Sequence, residues 1–165
     1  MKAKIIYGSD TGNTEVVVED LTKLLDDVDV VTVDEISPED WDHDKFILGI
    51  PTWYDGELQS DWEDYFDDFQ EIDFTGKTVA VFGLGDQVGY AEWFCDGVGI
   101  LADIVEKNGG KVIGNWPTDG YEFESSKAVM NTNNTFFGLC LDEDNQPELT
   151  QERLKKWVEQ LKNEY

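Results

Sequence analysis

Six residues near the amino end, Ser9-Asp10-Thr11-Gly12-Asn13-Thr14, have the types and spacing to hold an anion. They follow an apolar run, Ile5-Ile6-Tyr7-Gly8, and precede a helical pattern, so they form a strand-to-helix turn. Such a turn aims backbone N–H groups and a helix N-terminus at whatever lies above it. Ser9, Thr11 and Thr14 add hydroxyl donors, and Gly12 lets the backbone approach closely. The lysine and the glycine spacing of a Walker A loop are missing, which points to retention of a phosphate rather than its transfer. A plain Ser/Thr-capped helix start is the other reading of this stretch.

Two later stretches, Pro51-Thr52-Trp53-Tyr54-Asp55-Gly56-Glu57 and Leu84-Gly85-Asp86-Gln87-Val88-Gly89-Tyr90, bring aromatics just past buried apolar runs. Trp53 and Tyr90 flanking a slot would bind a flat, electron-poor ring by stacking, worth about 0.5–1.5 kcal/mol per aromatic pair beyond area burial. Backbone groups near Gly85 and Asp86 suit the polar edge of such a ring. Either aromatic alone reads as a core residue; two on neighbouring loops beside an anion loop favour the ring. Other chemistries lack parts. His43 is the only histidine and has no cysteine or histidine near it in sequence, which leaves metal and triad sites without ligands.

The elements that position these loops alternate along the chain. Lys4 to Gly8, Val30 to Val33, Phe46 to Ile50 and Thr78 to Gly85 read as strands, the third and fourth apolar enough to be covered on both faces. Lys111 to Trp116 begins a fifth strand, which Pro117 interrupts and Phe136 to Leu141 resumes. Helical spacing appears in Val17, Leu21, Leu24, Leu25 and Val28, and in Trp62, Tyr65, Phe66 and Phe69. It returns in Val98, Leu101, Ile104 and Val105, and in Leu154, Trp157, Val158 and Leu161. Ser37 to Asp40 reads as a turn or one helical turn. Five β–α alternations predict a parallel sheet wrapped by helices on both faces, with ligands bound outside the carboxyl ends of the strands. Loops 9–14, 51–57 and 84–96 leave those ends of strands one, three and four.

At 165 residues a single domain spanning 1–165 is expected. Thirty-seven acidic residues against 12 basic give a net charge of −25, which argues against nucleic acid and anionic membrane and favours basic partners. No apolar run reaches the length of a membrane span, and Met1 to Lys4 leads straight into a strand, so a cytoplasmic address is expected. Cys95 and Cys140 are too few for a disulfide scaffold and are expected as buried free thiols.

The residues quoted above resemble the flavodoxin family. Ser9 to Thr14 is similar to its phosphate loop, Thr/Ser-x-Thr-Gly-x-Thr. Leu48-Gly49-Ile50-Pro51-Thr52-Trp53 and Phe82-Gly83-Leu84-Gly85-Asp86-Gln87-x-x-Tyr90-Ala91-Glu92 are similar to its two flavin loops. The likeness runs nearly end to end, through Trp116-Pro117-Thr118-x-Gly120-Tyr121-x-Phe123, and the interrupted last strand resembles the long-chain type, most of all the enterobacterial one. It implies a three-layer α-β-α sandwich on a five-stranded parallel sheet of order 2-1-3-4-5, the last strand broken by an insertion. It also implies non-covalent flavin mononucleotide (FMN), its phosphate in 9–14 and its ring between Trp53 and Tyr90. Pro51, Thr52, Tyr54, Asp55, Gly56, Leu84, Gly85 and Asp86 would complete the site. Phe94, Asp96 and Asp142 correspond to positions lining or neighbouring the ribityl and ring region. Leu84, Trp93 and Asp55 depart from relatives that carry threonine, asparagine and an apolar or aromatic residue there.

By the same resemblance the chain is an electron-transfer protein, not an enzyme: a monomeric low-potential carrier cycling between neutral semiquinone and anionic hydroquinone. A basic flavodoxin or ferredoxin-NADP reductase would supply electrons and acceptor enzymes would take them, both docking on the acidic face around the flavin. One carboxylate at ~10 Å, with an effective dielectric of ~20, opposes an added negative charge by roughly 1.7 kcal/mol, or some 70 mV. Asp55, Glu57, Asp86 and Asp96 are the carboxylates expected near the ring. Asp61, Glu63, Asp64, Asp67, Asp68, Glu71 and Asp73 form an acidic run on a helix expected to border it. In relatives the peptide after the tryptophan flips toward the ring, here Tyr54–Asp55. The alternative is a flavin-dependent NAD(P)H or quinone reductase on the same fold, which Trp53 and Tyr90 covering both ring faces would obstruct.

Overall fold

The computed structural model describes residues 2–9, 12–53, 55–130 and 134–165. In chain order its elements are β1 (Ala3–Tyr7), α1 (Asn13–Leu24), β2 (Val28–Thr32), β3 (Lys45–Trp53), β4 (Glu57–Leu58), α2 (Ser60–Phe69), β5 (Thr78–Leu84), α3 (Asp96–Lys107), β6 (Lys111–Ile113), β7 (Trp116–Pro117), β8 (Thr135–Phe136), β9 (Leu139–Leu141) and α4 (Thr150–Glu164). The main sheet runs β2-β1-β3-β5-β6 with every neighbouring pair parallel. This is the expected order 2-1-3-4-5, with the short β4 folded back antiparallel on the end of β3.

Alternation along the three central strands explains why both faces are covered. Ile5, Tyr7, Ile47, Ala80, Phe82 and Leu84 face α1 and α4, packing on Val17, Leu21, Leu154, Trp157 and Leu161. Their neighbours Ile6, Phe46, Leu48, Ile50, Val79 and Val81 face α2 and α3, against Trp62, Phe69, Val98, Leu101 and Val105. Strands buried on both faces lose the polar-apolar alternation of a half-exposed sheet, hence the unbroken apolar runs. The result is the expected α-β-α sandwich.

β2 and β3 are joined by two 3₁₀ turns, Val33–Glu35 and Pro38–Asp42, the second at the turn or single helical turn expected from Ser37 to Asp40; two other expectations are corrected. Ser37 and Asp40 form a reciprocal capping box there, and Pro38 fits its first turn. Val28 belongs to β2, because the first helix ends at Leu24. The fifth strand breaks at Gly114 rather than at Pro117: Gly114 takes φ 77°, and a Cβ there would meet Trp157 Nε1 at 2.8 Å. β6 then pairs with Thr78–Ala80 and β9 with Phe82–Leu84, so one strand is built in two pieces along the same edge of β5. Between them β7 and β8 form an antiparallel ribbon at the base of the insertion.

The insertion is strapped to the loop that precedes α3. Glu124 N and Ser125 N donate to Ala91 O, Ser126 Oγ to Phe94 O, and Lys127 N to Asp96 Oδ1 at 2.8 Å. Gly99 on α3 lets this strap lie flat, since a Cβ there would sit 2.0 Å from Lys127 O.

Candidate functional site

At the carboxyl ends of β1, β3 and β5 lies an open cleft of about 530 Å³, counting the space at its mouth. Asn13, Thr14, Pro51, Thr52, Trp53, Leu84, Gly85, Asp86, Tyr90, Glu143 and Asp144 line it. The three loops expected to converge do so.

The described residues of the 9–14 turn bond to one another. Gly12 sits at φ 88°, a conformation that favours glycine, and its N–H donates to Ser9 Oγ at 2.9 Å. α1 starts one residue later, with Val16 N donating back to Gly12 O. Ser9 and Gly12 therefore shape the turn, while Asn13 and Thr14 face the cleft. The Thr14 hydroxyl is buried and has no hydrogen-bond partner among the described residues. A buried hydroxyl without a partner is unusual and invites an acceptor supplied from outside the chain. Asp10, Thr11 and Tyr54 lie outside the described residues, as does one side of the Tyr54–Asp55 peptide.

Trp53 is half-buried and Tyr90 is 36% exposed, so neither is a core aromatic. The Trp53 loop turns at Gly56, φ 83°, where a Cβ would meet Asp96 Oδ2 at 2.6 Å. The Tyr90 loop is held by Asp86, whose Oδ1 accepts from Gly89 N at 2.7 Å and Val88 N at 3.0 Å. Burial pushes the Asp86 carboxyl up, but these bonds and one from Asn145 Nδ2 outweigh it and leave Asp86 below the usual carboxylate range.

Three residues expected to line or neighbour the ring region are not among those lining the cleft. Phe94 is fully buried among Tyr121, Phe123 and Phe136. Asp96 is 2% exposed at the start of α3, bonded to the insertion through Lys127 N, and burial raises its pKa. Asp142 is fully buried; its carboxylate accepts from Gln87 N, Gln87 Nε2, Asp144 N, Asn145 N and Asn145 Nδ2. The two carboxylates are already used by the protein, and the Phe94 ring by its aromatic neighbours. Asp55 is exposed and, like Gly56, does not line the cleft, while Thr52 Oγ1 accepts from Gly97 N at 2.9 Å and ties β3 to α3.

Glu143 and Asp144 are lining residues that sequence reasoning missed. They leave the carboxyl end of β9, the second half of the fifth strand, and the rule that sends ligands to strand ends points to them. Burial raises Asp144, helped by the nearby Asp86 and Asp142. The acidic helix is placed differently than expected. Only the first turn of α2 lies at the cleft end, where Trp62 Nε1 donates to Gly49 O. Asp67, Asp68, Glu71 and Asp73 lie toward the opposite end, where Asn108 Nδ2 donates to the Gln70 and Ile72 carbonyls. Cys95 and Cys140 are buried free thiols, as expected, and burial pushes Cys95 well up.

A doubly wound α/β sandwich with a helix-start anion turn and an aromatic-lined cleft at its strand ends is a cofactor-binding protein of the flavodoxin-like fold. A family model described as flavodoxin matches residues 5–157. The chain is 52% identical to a flavodoxin of Haemophilus influenzae over 163 residues, 97% of this chain and 93% of that protein. It is 52% identical to a flavodoxin of Synechocystis over 165 residues, 98% and 96% of the two chains. Among solved structures, a Fusobacterium nucleatum flavodoxin bound to flavin mononucleotide superposes with a TM-score of 0.94 at 38% identity, covering 99% of this chain and 98% of that one. The chain belongs to the flavodoxin family.

Proposed function

We propose that this chain is a low-potential electron carrier using non-covalently bound FMN, taking electrons from a basic reductase and handing them to acceptor enzymes. The observation that carries the reading is the buried Thr14 hydroxyl, without a partner among the described residues, on a residue that lines the same cleft as Trp53 and Tyr90. The residues present fit FMN. The first turn of α1, with Asn13 and Thr14, suits its phosphate; Trp53 and Tyr90 suit the two ring faces; Leu84, Gly85 and Asp86 suit a ring edge. Bound there, FMN would supply a ring that takes up and releases one electron at a time.

The chain's own residues set the direction. Asp86, Glu143 and Asp144 line the cleft and oppose a second negative charge in it. Trp53 and Tyr90 close the ring faces to a nicotinamide or quinone, which favours a carrier over an NAD(P)H or quinone reductase. Asp61, Glu63, Asp64, Asp67, Asp68 and Glu71 form no ion pair among the described residues, so their charge is available to draw in a basic partner. The first turn of α2 with Asp55 and Glu57 is the docking rim; the later carboxylates act through the long-range field. Among the described residues no helix is long and apolar enough to cross a membrane. A monomeric carrier in the cytoplasm completes the proposal.

The test is reduction of the FMN-loaded protein by NADPH with and without a basic flavoprotein reductase. NADPH alone is expected to leave the flavin oxidised, and the reductase to bleach it at a rate that falls as salt rises. Rapid bleaching by NADPH alone would make the chain an enzyme instead.

A further inference from the structure

The Tyr90 loop carries much of one cleft wall, yet its turn at 86–90 is bonded mainly to itself, through the Asp86 carboxylate and Tyr90 N to Asp86 O. The turn is attached to the body of the protein by Asn145 Nδ2, which donates to Asp86 Oδ1 at 2.8 Å, and above all by Gln87, which does not line the cleft and is 4% exposed. Gln87 N and Nε2 donate to Asp142 Oδ2 at 3.0 and 2.8 Å, and Nε2 also donates to Gln146 Oε1 at 2.9 Å. Gln87 Oε1 accepts from Glu122 N, in the insertion, at 2.7 Å. One side chain thus joins the ring-facing loop to the segment after β9 and to the insertion.

We propose that Gln87 is a positioning residue for the flavin ring, fixing the Asp86–Tyr90 wall by a three-way tie between loop 84–90, segment 142–146 and the insertion. The inference rests on the reading of the cleft as an FMN site. The chemistry demands an amide. Asp142 and Gln146 present acceptors and Glu122 N presents a donor, so the position needs donor and acceptor on one terminus. Reversing the amide would set oxygen against the Asp142 carboxylate and N–H against N–H, so the partners themselves fix its orientation. The surroundings are mostly anionic. Asp86 adjoins Gln87 on its own loop, Asp142 and Asp144 approach from the segment after β9, and Glu122 belongs to the insertion. Arg153 of α4 is the cation nearby, bonded to the same Gln146 Oε1.

Two substitutions in the FMN-loaded protein test this. Gln87→Met keeps the length and removes every side-chain bond. It is expected to weaken FMN binding about tenfold or more, because it leaves buried partners unpaired, and to shift both one-electron potentials. Gln87→Glu keeps the acceptor but donates only when protonated, and ionised it faces Asp142 as a like charge. Its FMN affinity relative to the unmodified protein is therefore expected to approach unity near ~pH 5 and to fall several-fold by ~pH 8. This acid rescue keeps the inference testable where Gln87→Met fails to fold. Unchanged affinity and potentials in Gln87→Met, or a pH-independent affinity ratio in Gln87→Glu, would overturn the positioning role. Failure of the unmodified protein to bind FMN would instead overturn the reading of the cleft.

Discussion

Thr14→Val separates a binding hydroxyl from a structural one, because the structure gives its two effects opposite signs. The side chain is 1% exposed and its oxygen lacks a partner among the described residues. Leaving a buried hydroxyl unpaired costs about 1–3 kcal/mol. Valine fills nearly the same volume, is equally β-branched on the helix, and removes that cost. The FMN-free protein should therefore gain stability, by up to ~1–3 kcal/mol in urea unfolding. The same substitution deletes a hydrogen bond to a charged phosphate, worth about 1.5–3 kcal/mol, so FMN should bind roughly 10- to 150-fold more weakly. Urea melts of the FMN-free protein and quenching of flavin fluorescence on titration measure the two arms independently. A valine variant that is less stable and binds FMN unchanged would show the hydroxyl serving the fold, and the phosphate assignment would fall.

Asp55→Gly should raise the potential of the second reduction step, but modestly. Asp55 is exposed, so a dielectric near that of water applies, and at ~10 Å the effect drops from some 70 mV to about 20 mV; a spectroelectrochemical titration showing no rise removes Asp55 from the account. Asp96 has a folded pKa raised by burial, so its contribution to stability is present at low pH and is lost as pH rises through that raised value. Asp96→Asn, which retains an oxygen for Lys127 N, should be more stable than the parent at pH 7, the advantage shrinking as the pH falls into the carboxylate range; a pH-independent difference contradicts this. Gly99→Ala should lose about 1–2 kcal/mol in chemical unfolding, since overpacking against Lys127 O outweighs the helix-propensity gain of ~1 kcal/mol. A stabilised variant would mean that the insertion does not rest on α3.

The β–α alternation and the convergence of three loops were legible in the sequence because apolar runs, helical stripes and glycine-bearing turns each report a local constraint, whereas the strand order came from the resemblance to flavodoxins. Trp53 and Tyr90 stood out as aromatics placed where a strand had already ended. The residues that do not line the cleft were harder to separate from those that do. Asp96 and Asp142 differ from lining residues only in where their polar atoms are spent, and Phe94 in the rings it packs against, which depends on contacts with Lys127, Gln87, Tyr121 and Phe136 distant in sequence. Glu143 and Asp144 escaped notice because the fifth strand is split, and its true carboxyl end comes after the insertion. The break at Gly114 was set by Trp157, a contact no local pattern reveals.

Potentiometric titration of the FMN-loaded protein, followed by its visible spectrum, tests the central claim that the carboxylate-lined cleft resists a second negative charge. The account predicts two separated one-electron steps, the second at lower potential than the first, with the one-electron-reduced form accumulating between them. A single two-electron step, with no such form at any potential, would contradict it.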